Sequence, residues 1–162
     1  MTSEALCLDT SFVLALFEQR DVWHQEATQI HAALRDHDTL ILTPDCVVNE
    51  VLSIVARRCL QRRESKAFAG LAQCVVDAIP KDAITWLSPH LPRWFSGCVE
   101  TMQGAAGVLS FHDALLCVAA DELGFRAIVS FDEDFDRLGG LQRLGSADAV
   151  TTWLEARSRQ AP

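Results

Sequence analysis

Apolar positions along the chain fall into short unbroken runs and longer stripes of helical period, and the two kinds alternate. The first run, Leu6-Cys7-Leu8, has the length of a strand and ends at Asp9. Thr10 and Ser11 can cap the helix that follows through Phe12, Val13, Leu14, Ala15, Leu16 and Phe17. From Val22 to Asp36, the residues Trp23, Ala27, Ile30, Ala33 and Leu34 recur at helical spacing with polar residues between them, which predicts an amphipathic helix. Thr39-Leu40-Ile41-Leu42 reads as a second buried strand ahead of Pro44. Asp45 can then cap a helix whose stripe is Val47, Val48, Val51, Leu52 and Val55.

The alternation continues. A helix is predicted from Glu64 to Ile79, with Phe68, Leu71, Ala72, Val75 and Val76 on one face and Pro80 past its end. Ile84 to Leu87 forms a short third strand. Leu91, Trp94, Phe95, Cys98, Val99 and Met102 mark another helix, with Pro92 tolerated in its first turn and a break at Gly104 to Gly107. Ser110 opens a helix that runs through Ala114 to Leu123 and stops at Gly124, and Arg126-Ala127-Ile128-Val129 is the clearest strand after the first. Short strands alternating with longer helices predict an α/β domain with a mainly parallel sheet, one domain spanning residues 1–162.

Composition narrows the class. A chain of 162 residues that is 49% hydrophobic can bury a substantial core. Its formal charge of −8 argues against a broadly basic nucleic-acid-binding surface. If several acids are gathered at one site to hold cations, however, the remaining surface is much less acidic than that total. The six cysteines form no CxxC pair and sit mostly in apolar runs, as suits buried free thiols in a reducing compartment, so neither a disulfide framework nor a zinc knuckle is expected. No basic region precedes the first apolar segment and Asp9 interrupts it. Neither a signal peptide nor a membrane span fits, and a cytoplasmic location is expected.

Candidate chemistry lies in the acids. Ligands of open parallel sheets bind beyond the carboxyl ends of the strands, where Asp9 stands, although taken alone Asp9 reads as a turn or capping acid. Glu50 falls on the rim of its helix's apolar stripe. Asp113 has capping-box spacing from Ser110, yet the apolar residues after it mark a buried helix, where a carboxylate needs a partner such as a cation. Asp132 follows a strand directly; it can be a cap, and Glu133, Asp134 and Asp136 can be first-turn acids. Two strand ends carrying carboxylates, with Asp113 and Glu50 besides, form a pattern that separate capping roles explain poorly. His112, adjacent to Asp113, points about 100° away on the helix and is read as structural. The densest positive segment, Arg57, Arg58, Arg62, Arg63 and Lys66, fits a solvated helix end or interhelical loop and a contact to a polyanion about equally well.

Four short motifs, Leu8-Asp9-Thr10-Ser11, Asn49-Glu50-Val51-Leu52, His112-Asp113-Ala114-Leu115-Leu116 and Ser130-Phe131-Asp132-Glu133-Asp134-Phe135, resemble in type and order those of the PIN-domain nucleases, and among them the VapC-type toxins of bacterial type II toxin–antitoxin pairs. The resemblance covers nearly the whole chain. It implies a three-layer α/β/α sandwich and cleavage of RNA dependent on Mg²⁺ or Mn²⁺. It also implies an acid cluster of Asp9, Glu50, Asp113 and Asp132, with Asp9, Asp113, Asp132 and Asp134 toward the metal and the hydroxyls of Ser11 and Ser130 in support. Ser130 stands where the family more often has Thr. An RNA substrate, a cognate antitoxin and a homodimer are the partners the resemblance implies, although the chain is longer than many of the small toxins.

Elementary chemistry agrees. Carboxylates suit hard divalent ions, whose bound water can serve as the nucleophile, so no nucleophilic side chain is required. Crowded carboxylates should also repel one another and raise some of their pKa values. Two other readings compete. A degenerate PIN domain would bind RNA or a protein without cutting, and the presence of all four acids counts against it. A phosphotransfer receiver domain would want an acid pair at the first strand, where Leu8 precedes Asp9, and a strand-end Lys where Ser130 stands.

Overall fold

The computed structural model describes residues 5–137 and 140–159. Five strands, β1 (Leu6–Leu8), β2 (Ile41–Pro44), β3 (Ile84–Thr85), β4 (Ala127–Val129) and β5 (Gln142–Leu144), form one parallel sheet in the order β3-β2-β1-β4-β5. The chain moves to one side of β1 for β2 and β3, then crosses back to its other side for β4 and β5. Right-handed crossovers put the helices of those two journeys on opposite faces. Helices α1 (Thr10–Phe17), α2 (His24–Arg35), α3 (Asp45–Gln61) and α4 (Phe68–Ala78) lie on one face, where α7 (Ala147–Ser158) packs against α2, while α5 (Leu91–Gly104) and α6 (Phe111–Leu123) pair on the other. This is the predicted three-layer α/β/α sandwich. Among the described residues no helix is long and apolar enough to cross a membrane.

The central strands are the most buried. Ala127, Ile128 and Val129 of β4 and Leu6 and Cys7 of β1 are fully enclosed, covered on both faces as parallel strands require. Strand order reverses between β1 and β4, and their register pairs Leu8 with Val129, so the next residues, Asp9 and Ser130, emerge side by side at the carboxyl edge. Such a reversal opens a crevice where ligands bind in open α/β sheets.

Several expectations shift. Asp9, rather than Thr10 or Ser11, caps α1, because its carboxylate accepts the Ser11 N–H at 3.2 Å. The second strand starts at Ile41 and includes Pro44; Leu40 gives its carbonyl to the Leu6 N–H but leaves its side chain 60% exposed. Asp45 is the first residue of α3 and buried. Its carboxylate accepts the N–H groups of Cys46, Leu87 and Ser88 and the Ser88 hydroxyl, which holds the chain after β3 against α3. With those N–H groups taken, β3 stops at Thr85. Trp23, expected on the buried stripe of α2, precedes that helix and is about half exposed. The helix predicted from Glu64 begins as a 3₁₀ turn over Ser65–Ala67, and Leu71 and Val76 of α4 face outward. Cys7, Cys46, Cys59 and Cys98 are buried free thiols as expected, whereas Cys74 is exposed and Cys117 half-buried; burial pushes Cys46 and Cys117 up to about 12, so neither offers a thiolate.

Arg63 ends α3 with φ 59°, donating its N–H to Leu60 while Glu64 donates to Cys59, the paired bonds of a Schellman stop. Glycine takes that left-handed conformation without the Cβ penalty. Arg63→Gly is therefore expected to raise stability by about 0.5–1 kcal/mol in a denaturant titration. A lowered midpoint would mean the arginine side chain contributes more than its backbone costs.

Candidate active site

Because α1 starts at once after β1, the Asp9 carboxylate is held in place on arrival. Its Oδ2 accepts three donors: the Ser11 N–H at 3.2 Å, the Ser11 hydroxyl at 2.6 Å and the Ser130 hydroxyl at 2.7 Å. The same hydroxyls serve the far side of the crevice. Ser11 Oγ accepts the Phe131 N–H at 2.9 Å and Ser130 Oγ accepts the Asp132 N–H at 3.0 Å. Two serines thus lock the residue after β1 to the segment after β4. Burial pushes the Asp9 carboxyl above the ordinary aspartate range, and the bonds from Ser11 and Ser130 pull it partly back. The upward direction was expected, but the cause is loss of water rather than repulsion among carboxylates.

Glu50 reaches the same region from α3. Its Oε2 accepts the Thr10 hydroxyl at 2.9 Å and lies 3.4 Å from His112 Nδ1, so one carboxylate bridges the first turns of α1 and α6. His112, set aside on sequence grounds, is thereby in contact with the acid group. No local pattern announces the contact, which joins residues far apart in the chain.

Asp113 is not enclosed in an apolar helix. It is half-buried, and α6 hides only the stripe of Ala114, Leu115, Leu116, Ala119 and Ala120. The capping box is formed: Ser110 Oγ accepts the Asp113 N–H, and Asp113 Oδ2 accepts the Ser110 N–H at 2.8 Å. Asp132 also caps, accepting the Asp134 N–H on Oδ1 at 2.9 Å, while Asp134 sits 3.4 Å from Arg137.

Four acids share an arrangement that Glu18, Asp21 and Glu26 show elsewhere in the chain. Asp9, Glu50, Asp113 and Asp132 each give one carboxylate oxygen to protein donors, and among the described residues the other oxygen of each has no protein hydrogen-bond partner. Asp45 and Asp136 differ, since both of their oxygens are taken, Asp136 by a bidentate bond from Arg143 at 2.9 and 2.7 Å that holds it below the usual carboxylate range. A carboxylate anchored through one oxygen presents the other in a fixed direction, as a ligand to a hard cation must. The donor set therefore fits Mg²⁺ or Mn²⁺ in kind. Among the described residues no three His, Cys, Asp or Glu side chains come together as a group that could hold a metal ion, and Asp113 and Asp132 each accept a backbone N–H of their own turn. Arg143, not singled out on sequence grounds, also donates to the Ser130 carbonyl at 3.4 Å and braces the loop.

The basic segment is arranged differently. Arg62 pairs with Glu18 at 2.9 Å, and Arg58 lies 3.8 Å from Glu18 and 3.7 Å from Asp21. Arg57, Arg63 and Lys66 are exposed and in no ion pair among the described residues. Along α3, Arg62 is about 18 Å beyond Glu50.

This sheet, with its acids at the switch point, is that of a known class: the chain belongs to the PIN domain family, whose model matches residues 6–141. Among solved structures, the fold is similar to that of Mycobacterium tuberculosis VapC20, described as a sarcin-ricin loop cleaving toxin. The two share 20% identity at a TM-score of 0.62, over 85% of this chain and 97% of the other. A comparison with curated proteins returns no match.

Proposed function

We propose that this chain is a metal-dependent endoribonuclease that cleaves RNA phosphodiester bonds, and that it acts in the cytoplasm as the toxin of a type II toxin–antitoxin pair, restrained by a cognate antitoxin and working as a homodimer. The observation that carries the nuclease reading is Asp9, held through one oxygen by Ser11 and Ser130 at the crevice between β1 and β4, with Asp132 in the adjoining loop and Glu50 tied to the neighbouring Thr10. Membership of the PIN family and a fold like that of an RNA-cleaving toxin support it.

Asp9, Asp113 and Asp132 would hold a Mg²⁺ or Mn²⁺ ion, with Asp134 able to join if it releases Arg137, and Glu50 would orient an attacking water. Such an ion supplies a water of lowered pKa and neutralises charge gathering on the phosphate oxygens. Ser11 and Ser130 oppose the upward push of burial on Asp9 and fix its direction by donating to the oxygen that faces the protein. Thr10 donates to one Glu50 oxygen and His112 lies beside that same oxygen, so together they fix the direction of Glu50. Arg57, Arg63 and Lys66, with Arg58 and Arg62 once their acids are displaced, would meet the RNA backbone further along.

Cleavage of RNA is expected in Mg²⁺ or Mn²⁺ and not in EDTA. Mg²⁺ at about a hundred times its dissociation constant should stabilise the fold by ~3 kcal/mol, read as a rise in melting temperature. Undiminished cleavage in EDTA would sink the metal mechanism. RNA binding with neither cleavage nor a metal-dependent melting shift would identify a non-catalytic binding module instead.

A further inference from the structure

Beside the acids is an aromatic stack that the proposed chemistry does not use. The Trp23 indole lies flat on the Phe131 ring, with centroids 4.9 Å apart and planes 7° from parallel. Beneath, Phe131 meets Phe12 at 6.3 Å in a tilted contact, and Phe12 is buried in the core. The pile thus begins in the core and ends at an indole that is 47% exposed, one face covered by Phe131.

Both upper members are fixed relative to the acids. Phe131 stands between Ser130 and Asp132, and its N–H is bonded to the Ser11 hydroxyl that itself donates to Asp9, so two hydrogen bonds separate Phe131 from Asp9. The Trp23 backbone N–H donates to Asp21 at 3.0 Å and its carbonyl accepts the Ala27 N–H, the bond that starts α2. Asp21 in turn faces Arg58 at 3.7 Å. A flat, half-exposed aromatic face, backed by a ring from the loop that carries Asp132, is suited to a nucleotide. Single-stranded RNA is gripped by stacking its unpaired bases on such rings, whereas a base inside a duplex offers no free face.

We propose that the outer face of Trp23, backed by Phe131, is a shelf on which one unpaired nucleobase next to the cleaved phosphate stacks, making Trp23 a substrate-positioning residue. The inference rests on the nuclease reading. It does not choose a base, because every base has a π face.

The test uses the full chain and a single-stranded RNA of about ten nucleotides, alone or annealed to its complement. In the non-cleaving Asp9→Asn background, the single strand should quench part of the tryptophan emission, the duplex much less, and Trp23→Phe should abolish that quench while binding within a few-fold of the parent. Trp23→Ala should weaken binding by about 10- to 100-fold. With Asp9 restored, Trp23→Ala should raise KM more than it lowers kcat. Should Trp23→Ala not fold, the Trp23→Phe quench decides alone. A quench that survives Trp23→Phe, or duplex bound and cut as well as the single strand, overturns the shelf while leaving the nuclease standing. Failure of the wild type to bind or cut any RNA overturns both.

Discussion

Asp9→Asn is expected to lower RNA cleavage by more than about 100-fold while leaving the metal-free protein as stable as the wild type or more so. An asparagine turned with its carbonyl oxygen at the Oδ2 position accepts the same three donors, caps α1 as well as aspartate does, and loses only the charge. That charge is unfavourable in the folded state, since burial raises the Asp9 pKa above its unfolded value of about 3.9. The native state then binds the proton more tightly. Stability contributed by this group falls as pH rises from the unfolded value through the raised one, and stays reduced above both. In EDTA, Asp9→Asn should therefore gain most at neutral pH, and its advantage should shrink on acidification. Asp9→Ala removes the cap and strands the Ser11 N–H and the buried Ser130 hydroxyl, at a cost of about 1–3 kcal/mol. Melting curves across pH, beside cleavage assays, separate the cases. If Asp9→Asn destabilises the metal-free protein by about 1 kcal/mol or more, Asp9 is chiefly a capping acid and the metal site loses its central ligand.

The sequence reveals the frame around Asp9 better than the bonds that hold it. Buried on both faces, β1 and β4 read as short apolar runs, and Ser110 and Gly124 bracket α6 with a cap and a left-handed stop. By contrast β5 is an edge strand of Gln142, Arg143 and Leu144 whose polar residues hide it, and the stripe of α7 amounts to Val150, Trp153 and Leu154 among polar neighbours. Periodicity likewise puts Glu50 on a rim and Asp113 near a helix start without showing which oxygen is occupied. Those bonds join Glu50 to Thr10 across 40 positions and Ser130 to Asp9 across 121. Asp45 and Asp9 look alike in sequence, each an acid between a strand and a helix. Only Leu87 and Ser88, folded back over Asp45, make it structural and leave Asp9 with an open oxygen.

Ser130→Ala should move the acid limb of the pH–activity profile upward and destabilise the fold by about 1–3 kcal/mol. The side chain is fully buried, donates to Asp9 and accepts from the Asp132 N–H, so alanine leaves that N–H without its acceptor and Asp9 with fewer donors. Hydrogen bonds to an ionised carboxylate lower its pKa, so losing one adds to the upward push of burial. Cleavage that needs ionised Asp9 should then suffer most at acidic pH and recover as pH rises. In EDTA, the window over which stability falls with rising pH should extend further upward, because the folded pKa lies further above the unfolded one. Ser130→Thr retains the hydroxyl and should keep the wild-type profile, provided the added methyl is accommodated at this enclosed position. A uniform loss of activity at every pH in Ser130→Ala would show that the hydroxyl places the Asp132 loop without tuning Asp9. An unchanged profile with unchanged stability would remove Ser130 from the site.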